Sequence, residues 1–143
     1  MSNNDEQKPE IKNSGSIKIV IAEDDKFLSK VLSDKFRRAN YEVVVASDGI
    51  EAVNKIKSLL PDIALLDLMM PNKNGFEILE EIKTEKQFKN LPVLVLSNLG
   101  QKSDITRAKK LGATDYLVKS NLSINDVVKK VEEVLAQFKI AKN

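Results

Sequence analysis

Five side chains suited to one kind of chemistry each stand directly after an apolar run. Asp67 follows Ile63-Ala64-Leu65-Leu66, and Glu23 with Asp24 follows Ile17-Lys18-Ile19-Val20-Ile21-Ala22. Ser97 follows Leu91-Pro92-Val93-Leu94-Val95-Leu96, and Lys119 follows Thr114-Asp115-Tyr116-Leu117-Val118. Carboxylates brought into one pocket repel one another unless a hard cation lies between them. A donor set of oxygen atoms without imidazole or thiolate favours Mg2+ over zinc or copper. A hydroxyl and an ammonium beside that cation form a clamp for a trigonal group of anionic oxygens, which describes a phosphoryl group in transfer. The chemistry these residues can perform is attack of the Asp67 carboxylate on phosphorus, giving an acyl phosphate. Taken singly, each has a plainer reading: helix-opening acids, a loop hydroxyl, a solvated lysine.

Composition narrows the field further. The 143 residues contain no His and no Cys, which removes Ser-His-Asp catalysis, thiolate nucleophiles, disulfides and the commonest zinc sites. The 23 basic and 21 acidic residues leave a formal charge of +2. Together with the absence of any long Lys/Arg block, this argues against nucleic acid or membrane as the main partner. No apolar stretch approaches the ~20 residues of a membrane span. Residues 1–16 are polar and lack the apolar core of a signal peptide, so a flexible tail on a cytoplasmic protein is expected.

The chemistry requires elements that bring five distant positions together. Short apolar runs bounded by turn residues read as strands buried on both faces of a parallel sheet. Five are expected: Ile17–Ala22, Tyr41–Ala46, Ile63–Leu66, Leu91–Leu96 and Thr114–Val118. Helical stripes lie between them. The first runs through Phe27, Leu28, Val31, Leu32, Phe36 and Ala39, with Asn40 as a left-handed stop. Asp48-Gly49-Ile50-Glu51 reads as a capping box ahead of Val53, Ile56 and Leu60, with Pro61-Asp62 as the stop. Phe76, Leu79 and Ile82 mark a third helix. Ile105, Ala108 and Leu111 mark a fourth, which stops at Gly112. Ser123 and Asp126 cap a fifth, carrying Ile124, Val127, Val128, Val131, Val134, Leu135 and Phe138. Strands alternating with helices imply a doubly wound, flavodoxin-like α/β fold, a five-stranded parallel sheet in the order 2-1-3-4-5 with five helices. That order sets the first strand beside the third at the switch point, so Glu23, Asp24 and Asp67 converge. One domain is expected over 17–140, with a short tail over 141–143.

The ordered combination of Glu23-Asp24, Asp67 with Met70-Pro71 and Asn74-Gly75 behind it, Ser97, and Tyr116-Leu117-Val118-Lys119 resembles the response-regulator receiver domains of two-component signalling. The resemblance runs from about Ile17 to Phe138 and implies a stand-alone receiver. Asp67 is then the phosphoacceptor, and a sensor histidine kinase or phosphotransfer protein is the donor. Asp24 is implied as the direct Mg2+ ligand, Glu23 as one acting mainly through water, and Met69 as the donor of a backbone carbonyl. Ser97 and Lys119 bind the phosphoryl oxygens. Tyr116 is the aromatic switch residue, turning inward with Ser97 on activation. A downstream protein is expected on the face of the fourth helix, fifth strand and fifth helix, where Ile105, Lys109, Lys110 and Tyr116 lie. Such a domain promotes its own phosphorylation and dephosphorylation rather than turning over a substrate.

Three positions depart from the family pattern. Asn98 stands where a small residue is usual, and a receiver without an output domain after Asn143 is expected. Ser120 replaces the proline whose bond to the lysine is cis in the family; without proline, a cis bond costs ~3 kcal/mol. Two alternatives accompany the main reading. One is a phosphorylation-independent interaction module of the same fold, disfavoured by the collected charges. The other is a Mg2+-dependent aspartyl phosphatase, disfavoured because Met69 occupies the place of its second acid.

Overall fold

The computed structural model describes residues 16–142, with side chains to Phe138. The described chain alternates β1 (Ile17–Ala22), α1 (Lys26–Arg38), β2 (Tyr41–Ala46), α2 (Gly49–Leu59), β3 (Ile63–Leu66) and α3 (Gly75–Lys83). After a 3-10 turn (Lys86–Phe88) come β4 (Val93–Ser97), α4 (Lys102–Lys110), β5 (Asp115–Val118), a second 3-10 turn (Lys119–Asn121) and α5 (Ile124–Lys142). All four strand pairings are parallel, and the order is β2-β1-β3-β4-β5, as the alternation predicts. The tail expected over residues 1–16 lies, Ser16 apart, outside the described residues. At the other end α5 continues to Lys142, into the stretch expected as a tail.

The two-residue period of the strands separates two apolar layers. Val20, Ala64, Leu66, Val93 and Val95 face α2, α3 and α4 and meet Ala52, Ile56, Ile78, Leu79, Ile82 and Ala108. Ile19, Ile21, Ile63, Leu65, Leu94 and Leu96 face α1 and α5 and meet Leu32, Phe36, Val127, Val131 and Val134. Each strand in the middle of the sheet is therefore apolar on both sides, which is why it reads as an unbroken apolar run. β3 and β4 are buried along their whole length, so the polar chemistry collects at the strand ends.

Local signals explain most element boundaries. Asp25 caps α1 by accepting the Leu28 N–H at 3.1 Å, and Asn40 takes a left-handed φ of 71° after α1. Ser123 and Asp126 form a reciprocal capping box. Asn74 and Glu77 form another at the start of α3, which the sequence reading did not include. At α2 the expected box is shared differently. Asp48 accepts the Glu51 N–H, but Glu51 accepts the N–H of Ser47 instead of that of Asp48. Three residues of the expected stripes leave the core, Phe27, Leu60 and Ala39, the last as the exposed C-cap of α1. Phe27 is 79% exposed, because the first turn of α1 sets the buried face at Leu28, Leu32 and Phe36. Leu60 is exposed as well, since it is the left-handed C-cap of α2 and not its last core residue.

Candidate functional site

The site is built by the ladder of the central strands. Beyond β1 and β3 the hydrogen bonding continues for one residue: the Asp67 N–H donates to the Ala22 carbonyl at 3.0 Å, and the Glu23 N–H to the Ala46 carbonyl at 3.0 Å. These bonds hold Glu23 and Asp67 side by side at the carboxyl edge, at the switch between β1 and β3. Ser97 closes β4 and pairs in register with Val118, the residue before Lys119. The five sequence-selected positions thus meet at one end of four strands. Behind Asp67 the chain turns back sharply, with the Gly75 N–H bonded to the Leu68 carbonyl at 3.0 Å. A Cβ on Gly75 would lie 2.7 Å from the Asp67 carbonyl oxygen, so only glycine lets α3 begin this close to the strand end.

Glu23 and Asp67 are buried, at 3% and 5% exposure, whereas Asp24 is exposed. Lys119 supplies their compensation. Its Nζ lies 2.8 Å from Glu23 Oε1 and 2.9 Å from Asp67 Oδ2, with the side chain only 16% exposed. The remaining oxygens are also held: Asp67 Oδ1 accepts the Met69 N–H at 3.1 Å, and Glu23 Oε2 the Asp25 N–H at 3.1 Å. Burial pushes the Glu23 carboxyl up, the bond from Lys119 opposes this, the Asp67 charge adds to it, and the net shift is upward. Burial pulls the Lys119 ammonium down, but its bonds to Glu23 and Asp67 outweigh that and hold it above the usual lysine value.

Ser97 and Lys119 are not residues of an open rim. Ser97 is fully buried, and its hydroxyl accepts the Leu99 N–H at 3.3 Å. Tyr116 is buried too, its ring turned inward and its hydroxyl donating to the Leu99 carbonyl. Burial raises the Tyr116 hydroxyl above the usual tyrosine value, and the Asp104 charge adds to this. One peptide, that of Leu99, therefore joins Ser97 to Tyr116. Among the described residues every peptide bond is trans, that between Lys119 and Ser120 included. The exposure of Phe27 is a feature the sequence reading missed. Phe27 and Met69, exposed at 79% and 60%, stand two or three residues from the acidic positions. The signal was present in Asp25, a capping residue that places Phe27 in the first, open turn.

The donor set fits a small hard cation. One ligand oxygen from each of Glu23, Asp24 and Asp67 lies within 4.8 Å of the others. Opposed ligands at ~2.1 Å from Mg2+ stand ~4.2 Å apart, so a site of this span accommodates one ligand acting through water.

A family model described as "Response regulator receiver domain" matches residues 19–132. The chain belongs to that family. Membership makes this receiver domain a phosphoacceptor of two-component signalling; receiver domains are signalling proteins and bind Mg2+ at an acidic pocket. The receiver is 39% identical over 103 residues to the chemotaxis protein CheY of Thermotoga maritima, covering 71% of this chain and 84% of that one. It is 32% identical over 124 residues to the alkaline phosphatase synthesis transcriptional regulatory protein PhoP of Bacillus subtilis, covering 87% of this chain and 50% of that one. The chain spans half or less of the length of several curated relatives it matches. Among solved structures it resembles the receiver domain of the Francisella response regulator 1452, with a TM-score of 0.77, 31% identity and 85% and 98% of the two chains covered. The Borrelia burgdorferi CheX-CheY-BeF3-Mg+2 complex matches with a TM-score of 0.77 and 30% identity, covering 85% and 92%. Among the described residues no helix is long and apolar enough to cross a membrane.

Proposed function

We propose that Asp67 is the phosphoacceptor of this receiver and that its donor is the phosphohistidine of a sensor histidine kinase or phosphotransfer protein in the cytoplasm. One observation carries the reading: a buried aspartate at the end of β3, paired at 2.9 Å with Lys119, opens onto two further carboxylates. Glu23, Asp24 and Asp67, with the Met69 backbone carbonyl, would hold Mg2+, which when bound supplies positive charge to the phosphoryl oxygens. An Asp67 oxygen forms a bond to phosphorus while the bond from phosphorus to the donor imidazole nitrogen breaks. The released imidazole takes up a proton, and an acyl phosphate remains on Asp67. Lys119 then donates to a phosphoryl oxygen. Ser97 accepts from Leu99 in this structure, so its own proton is free to donate to a second oxygen.

The response runs outward through Leu99. A Ser97 hydroxyl drawn toward the phosphoryl group moves the Leu99 peptide, whose carbonyl holds the Tyr116 hydroxyl. Tyr116 is the switch residue in this reading, and the face of α4, β5 and α5 with Ile105, Lys109, Lys110 and Tyr116 takes the downstream protein. The exposed Phe27 and Met69 suit the donor protein, because they offer apolar area beside the nucleophile without contributing to the core. A phosphorylation-independent scaffold would have no use for two carboxylates buried against one lysine. Incubation with a small phosphoramidate and Mg2+ tests the proposal. One phosphoryl mass is expected on the parent chain and none on Asp67→Asn or in the presence of EDTA; undiminished labelling of Asp67→Asn would refute it.

A further inference from the structure

We infer that Gly49, the first residue of α2, is a positioning residue for the phosphoacceptor: it clamps the loop behind Asp67 and so fixes the Met69 peptide that holds the Asp67 carboxylate. This role rests on the reading of Asp67 proposed above and brings a residue of a different element to its support. Glycine is a poor helix former, so its place at the start of α2 needs a reason outside the helix. Its own backbone gives none, because Gly112 is the only glycine with a left-handed φ among the described residues. Space gives the reason. A Cβ on Gly49 would lie 1.8 Å from the Lys73 carbonyl oxygen, 2.5 Å from the Lys73 carbonyl carbon and 2.6 Å from Lys73 Cβ, and none of these is the free end of a side chain. The first N–H groups of a helix lack partners within it, and that of Gly49 donates across to the Pro71 carbonyl at 3.1 Å.

The loop requires such a clamp. The same Pro71 carbonyl accepts the Lys73 N–H at 2.8 Å, closing a three-residue turn about Asn72, whose φ is 70°. A turn of that sign is strained and persists only where its surroundings hold it. At its inner end the loop is anchored by the buried Leu68 and Met70, and between them the Met69 N–H donates to Asp67 Oδ1 at 3.1 Å. At its outer end it rests on Gly49. Lys73 Nζ also pairs with Glu81 Oε1 at 2.6 Å, but with the side chains 29% and 36% exposed this pair adds little. The backbone contact with Gly49 therefore sets where residues 71–73 lie, and the Met69 peptide stands only two residues before them.

The test compares Gly49→Ala with Gly112→Ala in the whole protein. Gly112 has a φ of 113° and its Cβ would meet Lys83 Cγ at 2.7 Å, so Gly112→Ala is strained too, but between α4 and β5 at the opposite end of the sheet. In Gly49→Ala the Lys73 carbonyl must retreat by at least ~1.2 Å to clear the methyl group. Labelling of Asp67 by phosphoramidate and Mg2+, counted per folded molecule, should slow roughly tenfold to a hundredfold. The Met69 amide should exchange with solvent about tenfold faster or more, because its bond to Asp67 is lost. Both readouts should stay within about twofold of the parent in Gly112→Ala, as distant sites act independently. Should Gly49→Ala not fold, hydrogen exchange in the parent decides: the Gly49, Lys73 and Met69 amides should be protected and open together. Freely exchanging Lys73 and Met69 amides beside a protected Gly49 would overturn the inference. Parental labelling or parental Met69 exchange in Gly49→Ala, or equal slowing in Gly112→Ala, would also overturn it and leave the phosphoacceptor reading standing. A parent that takes no label on Asp67 would overturn both.

Discussion

Gly75→Ala places a methyl group against the backbone of the phosphoacceptor itself. The new Cβ would lie 2.7 Å from the Asp67 carbonyl oxygen, 2.7 Å from Leu68 Cα and 2.8 Å from Leu68 Cδ2. Carbon contacts settle at ~3.5 Å or more, so the start of α3 and the end of β3 must separate by roughly 0.8 Å. Two of the three colliding atoms are backbone, and no rotamer change can relieve them. Overpacking of this kind costs ~1–3 kcal/mol, and the upper half of that range applies here. For a chain of this size that is a fall in melting temperature of roughly 5–10 °C. Chemistry should suffer more than stability. A displacement near 1 Å at a reacting group can cost ~100-fold in rate, so phosphoramidate labelling should slow by one to two orders of magnitude. The assays are thermal unfolding and the time course of the added phosphoryl mass. Gly100→Ala is the control, because its Cβ would meet Val118 at an ordinary 3.5 Å, and it should be nearly neutral in both. A Gly75→Ala protein with parental melting temperature and parental labelling rate would refute the reasoning.

Further outcomes are expected elsewhere. Phe27→Ala should leave thermal stability within ~0.5 kcal/mol, as exposed sites do, yet slow transfer from a phosphohistidine protein; equal transfer rates would remove Phe27 from the docking rim. Tyr116→Phe should cost ~1 kcal/mol by leaving the Leu99 carbonyl without its donor, read as a shift in denaturant midpoint. Asp115→Asn should destabilise the protein at neutral pH. Burial pushes this carboxyl up, but the Tyr116 N–H, Lys130 and Lys109 outweigh it and hold it below the usual aspartate value. A depressed carboxyl contributes stability above the unfolded value and loses it as pH falls through the folded one. The gap between parent and variant should therefore close on acidification, and a pH-independent gap would count against this. Decay of the acyl phosphate should accelerate in Met69→Asn and Leu99→Glu, which place a group able to orient water where the parent has apolar side chains, and in Asn98→Ala, which opens the mouth of the pocket. A parent that decays fastest of the four would contradict that, and slower decay in Asn98→Ala alone would make Asn98 the residue that positions water.

The fold was legible because both signals that define it are strong in this chain. Apolar runs such as Ile63–Leu66 and Val93–Leu96 can satisfy their backbone and bury both faces only inside a parallel sheet, and alternation with helical stripes then fixes the topology. The meeting of Glu23, Asp24, Asp67, Ser97 and Lys119 followed from the same argument, since all stand at carboxyl ends. What the sequence could not carry was the partition of those residues between rim and interior. Spacing puts Ser97 and Lys119 only at the ends of their strands, whereas in the structure Ser97 is buried with its hydroxyl held by the Leu99 N–H and Lys119 reaches inward across both carboxylates. A side chain's reach depends on loop geometry, and one-dimensional spacing does not encode it. Phe27 failed for a related reason. It adjoins the apolar stripe in sequence, but the capping bond from Leu28 to Asp25 sets the helix phase one residue later. Leu60 failed because a left-handed cap rotates it out of the face its spacing implies.

The central claim is that Asp67 is the nucleophile, and reductive trapping tests it most directly. An acyl phosphate is reduced by borohydride to an alcohol, so a phosphorylated aspartate becomes homoserine and keeps a permanent record of the site. After phosphoramidate, Mg2+ and borohydride, peptide mapping should find homoserine at position 67 and aspartate unchanged at Asp24, Asp25 and Asp62. Homoserine at one of those positions, with Asp67 intact, would contradict the account.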